Sequence, residues 1–317
     1  MTKRRVILDT DTAGDDTTAI LTALHHFKVE GITIAGGNVA FEQEVENALY
    51  TIELSNPDTY VPVFKGHDGP MMREIGAKHW TEERIMGIDG MGNSFFEKAK
   101  QRPEEMHAVD FIIQTIMDNP GEIEIIAIAP LTNIAMAVKR EPKIVDKIKH
   151  LWIMGGVNNS LGNIAAVAEY NFYTDPEAVK LVLHSGMPMT MVTWDMCLKH
   201  AVMYEDAINE IEALQTKGSE FFIKVNTHVR EFELAKRGID GITCPDSVVV
   251  AIVADESLMT KSGSYYVDIE TQGTITRGYN LVDLQSDLGR EPNIRVCEAI
   301  DGEKFKQHLM TVLGAIN

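Results

Sequence analysis

From residue 6 to about residue 200, short apolar runs alternate with longer segments whose apolar positions recur every three or four residues. The runs Val6–Leu8, Gly31–Ala35, Val61–Phe64, Ile123–Ile128, Leu151–Met154 and Thr190–Thr193 read as buried strands. Between them, Ala19–Phe27, Phe41–Leu54, His107–Met117, Ile134–Lys139 and Lys143–Lys149 read as helices, with Thr132 as a cap for the fourth. Asp175 and Pro176 together start another helix that runs to about Leu183. Strand and helix in regular alternation predict an α/β fold, a mainly parallel open sheet with helices on both faces. From Tyr204 the pattern changes to two long helices, Glu205–Leu214 and Glu220–Lys236, and an apolar helix Ser247–Ala254 opened by Cys244-Pro245-Asp246. Strands near Tyr265–Glu270 and Asn293–Val296 and a last helix Gly302–Leu313 complete the chain. No repeat or Pro/Ser/Gly-rich linker divides it, so residues 1–317 are expected to form a single domain.

Two loops stand out. Gly36-Gly37-Asn38 ends the second strand with residues that let the backbone approach a ligand closely. The stretch from Gly66 to Arg102 is long and irregular, with Met71, Met72 and Trp80 and the run Gly87-Ile88-Asp89-Gly90-Met91-Gly92. Apolar tips on a Gly-punctuated segment suggest a lid or substrate loop.

A net charge of −18 argues against nucleic acid or an anionic membrane as a partner. A small neutral substrate, or one met through a cation, fits better. The cysteines, Cys197, Cys244 and Cys297, are odd in number and widely spaced, as expected of core residues in a reducing compartment. No signal-peptide pattern or membrane-length apolar stretch is present, and a cytoplasmic location is expected.

The first strand runs into Asp9-Thr10-Asp11-Thr12-Ala13-Gly14-Asp15-Asp16, four carboxylates within eight residues. Such a cluster repels itself in a partly dry crevice, and a divalent cation with oxygen ligands, Ca²⁺ or Mg²⁺, would hold it together. A solvated acidic loop with a helix cap is the plain alternative. The carboxyl edge of an open α/β sheet, where this turn should lie, is where such folds bind ligands.

This stretch resembles the DxDxxxDD signature of the nucleoside hydrolases, the inosine–uridine-preferring ribohydrolases, although most members read Asp-Pro-Gly where this chain has Asp11-Thr12-Ala13-Gly14. Asn38, Pro130–Ala135, Met154-Gly155-Gly156, Gly162-Asn163, Ala168–Asn171, Asp175–Ala178 and Asp246 follow in family order. The resemblance implies Ca²⁺ held by Asp11, Asp16, Asp246 and the backbone carbonyl of Ile128. It implies Asp11 as the base that activates water, and hydrolysis of an N-glycosidic bond through an oxocarbenium-like transition state. Asp15 and Asn38 would meet the ribose 2′-hydroxyl, and Asn163, Glu169 and Asn171 the 3′- and 5′-hydroxyls, while Asp9 would brace the turn. A ribonucleoside substrate and a homodimer or homotetramer belong to the same expectation. The base side departs from the family: Pro245 and Met86 stand where two histidines are usual. His228, Glu231, Glu233, Lys236 and Arg237 are candidates for a contact to the leaving base, and Trp80 or Trp194 for stacking on it.

Two other readings stay open from the sequence. Asp9-Thr10-Asp11 also resembles the nucleophile motif of haloacid dehalogenase-type phosphatases, which phosphate release from an aryl phosphate would reveal. A non-catalytic ribose or nucleoside binder descended from the enzyme is the other, separated by ribose release from nucleosides.

Overall fold

The computed structural model describes residues 3–72 and 85–317. Its first half is β1 (Arg5–Thr10), α1 (Asp15–His26), β2 (Lys28–Ile34), α2 (Phe41–Ser55), β3 (Val63–Lys65), α3 (Ala108–Asp118), β4 (Ile123–Ala127), α4 (Thr132–Arg140) and β5 (His150–Met154). Then come α5 (Tyr170–Thr174), α6 (Pro176–Leu183), β6 (Met189–Val192), α7 (Trp194–His200), β7 (Val202–Tyr204), α8 (Glu205–Glu212) and α9 (Lys217–Arg237). The remainder is β8 (Gly241–Thr243), α10 (Pro245–Ala254), β9 (Met259–Tyr265), β10 (Val267–Ile269), β11 (Asn280–Val282), β12 (Ile294–Ile300) and α11 (Gly302–Gly314).

One eight-stranded sheet runs β3-β2-β1-β4-β5-β6-β12-β9, parallel throughout except for β9 against β12. Its central strands β1, β4, β5 and β6 are buried almost throughout because both faces are covered. Val6 and Leu8 pack with Ile126, Ile128 and residues of α1, α2, α9, α10 and α11; Ile7 packs with Ile125, Ala127 and residues of α3, α4 and α6. Period-two alternation thus divides β1, β4 and β5 between two cores. No helix among the described residues is long and apolar enough to cross a membrane.

Several local expectations change. The helix expected over Lys143–Lys149 is a 3-10 turn, Pro142–Asp146, capped by the Glu141 side chain on the Lys143 amide. The Lys147 carbonyl instead accepts from the Gly121 amide at 2.6 Å and the Lys149 amide donates to the Ile123 carbonyl at 2.9 Å, which ends the helix before Lys149. Thr132 does not cap α4; its hydroxyl donates instead to Asp175 Oδ2 at 2.7 Å. Asp175 does cap α6, accepting from the Ala178 amide at 3.0 Å, with Pro176 in the first turn. The strand expected over Tyr265–Glu270 is broken at Tyr266, where the chain leaves β9 for β10. The Asn293 side chain there takes the place of a strand, bonding both the amide and the carbonyl of Val267. Part of the long Gly66–Arg102 segment, including Trp80, lies outside the described residues.

Candidate active site

β1 stands between β2 and β4, and the chain turns to opposite sides of it, so its carboxyl end is a topological switch point. Asp9 pairs in register with Ala127, and the Ile128 amide donates to the Asp9 carbonyl at 2.8 Å. Ile128 therefore lies beside the start of the acidic turn. Asp9 itself ties β1 to β2 and α4 rather than bracing the turn: its Oδ1 accepts from Thr33 Oγ1 at 2.5 Å and from Asn133 Nδ2 at 2.9 Å, while its Oδ2 is buried without a partner. The turn pivots on Gly14, whose φ of 45° suits glycine, and its amide donates to the Gly90 carbonyl at 2.8 Å.

The acids beyond Asp9 have separate partners. Asp16 accepts from Thr10 Oγ1 at 2.6 Å, the Ala13 amide at 3.2 Å and Asn38 Nδ2 at 3.2 Å. Asp15 faces the first turn of α10, accepting from the amides of Asp246 at 2.7 Å and Ser247 at 3.0 Å and from Ser247 Oγ at 2.8 Å. Asp11 differs from both: its Oδ2 is buried and has no hydrogen-bond partner. Gly37 makes room for it, since a Cβ there would lie 2.0 Å from that oxygen. The loop that follows is held by Glu44, which accepts from the amides of Gly37 and Val39, each at 3.0 Å.

A pocket of about 110 Å³ opens at this edge. Asp11, Asp15, Asn38, Ile128, Asn163, Glu169, Asn171 and Asp246 all line it; Asp16 is not among the lining residues. Asn38 donates to the Asp11 carbonyl at 3.1 Å, which fixes its amide beside the turn. Glu169 caps α5, accepting from the amides of Gly156 at 2.7 Å, Asn171 at 2.9 Å and Phe172 at 3.2 Å. Asn171 Nδ2 reaches the carbonyls of Ile128 and Met154, each at 3.3 Å. Asn163 leaves its side-chain oxygen buried and unpartnered.

Burial pushes these carboxyls up, to about 6 for Asp15, about 7 for Asp16 and Glu169 and about 8 for Glu44. Asp11 and Asp246 are raised well above the usual range, first by burial and then by neighbouring acids, with Asp16 the nearest in effect for both. Buried acids that raise one another ask for a positive charge. An all-oxygen donor set, the orphaned Asp11 Oδ2 and the free lone pair of the Ile128 carbonyl fit a hard divalent cation. Among the described residues no group of three or more His, Cys, Asp or Glu side chains stands close enough together to hold an ion by itself.

The other wall of the pocket is apolar and carries one cation. Met86, Ile164, Trp194, Val229 and Phe232 line it together with Asn226, Glu233 and Arg237. Of the candidates on α9, Glu233 and Arg237 face the pocket, while His228, Glu231 and Lys236 do not line it. His228 is turned to Asn93 Nδ2, 2.8 Å from its Nε2. Asn226 and Phe232 were not singled out from the sequence. The spacing of Asn226, Val229, Glu233 and Arg237 along one helix face was the available signal, and it looked like an ordinary amphipathic face.

The sequence model described as inosine-uridine preferring nucleoside hydrolase matches residues 6–307. The chain belongs to that family. It is 30% identical over 307 residues to the pyrimidine-specific ribonucleoside hydrolase RihB of Escherichia coli, covering 96% of this chain and 95% of that one. Among solved structures, a purine-preferring ribonucleoside hydrolase from Gardnerella vaginalis matches with a TM-score of 0.90 at 28% identity, over 99% of each chain. A plant nucleoside hydrolase, PpNRh1, matches with a TM-score of 0.90 at 27% identity, over 98% of each chain. Membership of this family replaces the phosphatase alternative. Relatives named for pyrimidine and for purine nucleosides lie at similar distance, so likeness alone does not choose a base.

Proposed function

We propose that this nucleoside hydrolase family member cleaves the N-glycosidic bond of ribonucleosides, giving ribose and the free base, with Asp11 taking the proton of the attacking water. The observation that carries the reading is Asp11 itself, which lines the switch-point pocket together with Asp246 and Ile128 and keeps a buried, unpartnered Oδ2. Asp9 Oδ2 is also buried without a partner, but Asp9 does not line the pocket, and the carboxylates of Asp15 and Asp16 are engaged by the chain. An oxygen kept free in a buried site is available to orient a water and accept its proton.

Asp11, Asp16, Asp246 and the Ile128 carbonyl would hold Ca²⁺, which would supply the charge that keeps these acids ionised and would acidify and orient water. Carboxylate oxygens accept more than one hydrogen bond, so Asp15 can cap α10 and still meet the ribose 2′-hydroxyl with Asn38. Asn163, Glu169 and Asn171, which line the same pocket, would hold the 3′- and 5′-hydroxyls. The ring of buried acids stabilises the positive charge that grows on the sugar as the bond to the base breaks. Cys197, Cys244 and Cys297 are free and buried, in keeping with a reducing, cytoplasmic setting; a homodimer or homotetramer completes the reading.

The test is reducing-sugar release from a panel of purine and pyrimidine ribonucleosides. Release of ribose from at least one supports the hydrolase. Saturable nucleoside binding without release would make the chain a binder instead.

A further inference from the structure

We infer that Arg237 is the group that stabilises the departing base, acting as a fixed hydrogen-bond donor and not as a proton donor; the inference rests on the hydrolase reading above. Arg237 is the only Lys, Arg or His among the described residues that line the pocket. Its place there is built. Nη1 donates to Glu233 Oε1 one helical turn back, and Nη2 donates to the Asn163 carbonyl at 3.0 Å. The guanidinium carbon lies 5.4 Å from the centroid of Trp194 and 5.6 Å from that of Phe232. The cation is thus fixed against two aromatic rings of the apolar wall, where a planar base can pack.

Glu233 supplies an independent sign of a ligand. It is 3% exposed, it lines the same pocket, and its Oε2 is buried without a partner. Of the five N–H groups of the guanidinium, two are engaged, which leaves three for a nucleobase carbonyl or ring nitrogen. A guanidinium does not give up its proton in a protein, so it cannot act as the missing histidines would.

The step then balances as follows. Water oxygen bonds to the anomeric carbon while its proton passes to Asp11. The bond from that carbon to the base nitrogen breaks, and the electron pair stays on the base. The base leaves as a delocalised anion hydrogen-bonded to Arg237, then takes a proton from solvent, and Asp11 returns its own to solvent. Selectivity follows: the more acidic the departing base, the less it depends on Arg237.

The experiment compares kcat/KM on inosine, uridine and 4-nitrophenyl riboside for the wild type, Arg237→Ala, Arg237→Lys and Glu233→Gln, each with and without millimolar guanidinium. Arg237→Ala is expected to lose about 10²- to 10³-fold on inosine and uridine, as for removal of one transition-state donor, and about tenfold less than that on the nitrophenyl riboside. Guanidinium should restore part of the inosine rate in that variant and leave the wild type unchanged. Should Arg237→Ala not fold, Arg237→Lys and Glu233→Gln must show the same ordering of substrates. Equal losses on all three substrates without rescue, or no loss on inosine, would overturn the inference while leaving the hydrolase reading intact. A wild type that releases ribose from none of the three would overturn both.

Discussion

Asp15 and Asp246 are 231 positions apart in the chain, yet the carboxylate of the first accepts a 2.7 Å hydrogen bond from the amide of the second. One acid of the site therefore caps the helix that carries another. The first turn of a helix offers unpaired N–H groups and the positive end of its dipole, so it tolerates an acid where bare proximity to Asp246 would not.

Replacing Asp15 by Ala should cost about 1–2 kcal/mol of stability, as for the loss of a helix cap. The expected signature is a lower denaturant midpoint with an unchanged slope, together with a raised KM because Asp246 loses its anchor. An unchanged midpoint would remove the capping role.

Gly37→Ala tests the space around the base. Its Cβ would fall 2.0 Å from Asp11 Oδ2, so the carboxylate must move. A misplacement of that size at a reacting group costs about 10²-fold in rate, and kcat should drop accordingly in a folded variant. Wild-type turnover would show that the position of Asp11 is not critical.

The raised carboxyls set a direction for pH. Burial brings Asp9 and Glu169 to about 7 and Glu44 to about 8, above their values in an unfolded chain. A group whose folded pKa is raised holds its proton more tightly when folded. Its contribution is complete below about pH 4 and is lost as pH rises through the folded value. With chelator present, the melting temperature should therefore fall between pH 5 and pH 8. Added Ca²⁺ competes with protons and should raise it more at pH 8 than at pH 5. No response to Ca²⁺ or Mg²⁺ at pH 8 would contradict an ion at Asp11, Asp16 and Asp246.

Inosine and 2′-deoxyinosine should differ by about 10⁴-fold in kcat/KM, because a site built to pair a hydroxyl leaves its own polar groups unpaired when that hydroxyl is missing. Comparable values would contradict the placing of Asp15 and Asn38 at the 2′ position.

Much of this architecture is legible in the linear pattern because it is local. The apolar runs up to β6 and the Asp175-Pro176 helix start depend on neighbours in the chain, and they appear near where expected. Shorter pieces did not. α5 and α7 are five and seven residues long, too short for a helical period to declare itself, and β7 and β8 pair only with each other. The site shows the same division. The acidic turn and the family order of Asn38, Glu169 and Asn171 point to the pocket, but the partners of each acid come from distant segments. Nothing near Asp15 in sequence announces Ser247, and nothing near Arg237 announces Trp194 or the Asn163 carbonyl. The missing histidines are visible from Met86 and Pro245; which residue faces the base instead depends on how α9 is rotated against α1, α11 and β8.

The most direct measurement is ribose release by wild type and by Asp11→Asn on the same nucleoside, with the fold of both verified by thermal melting. An amide cannot take a proton from water, so wild type should turn over and Asp11→Asn should fall to background with its melting transition retained. An Asp11→Asn protein that releases ribose at the wild-type rate would contradict the account.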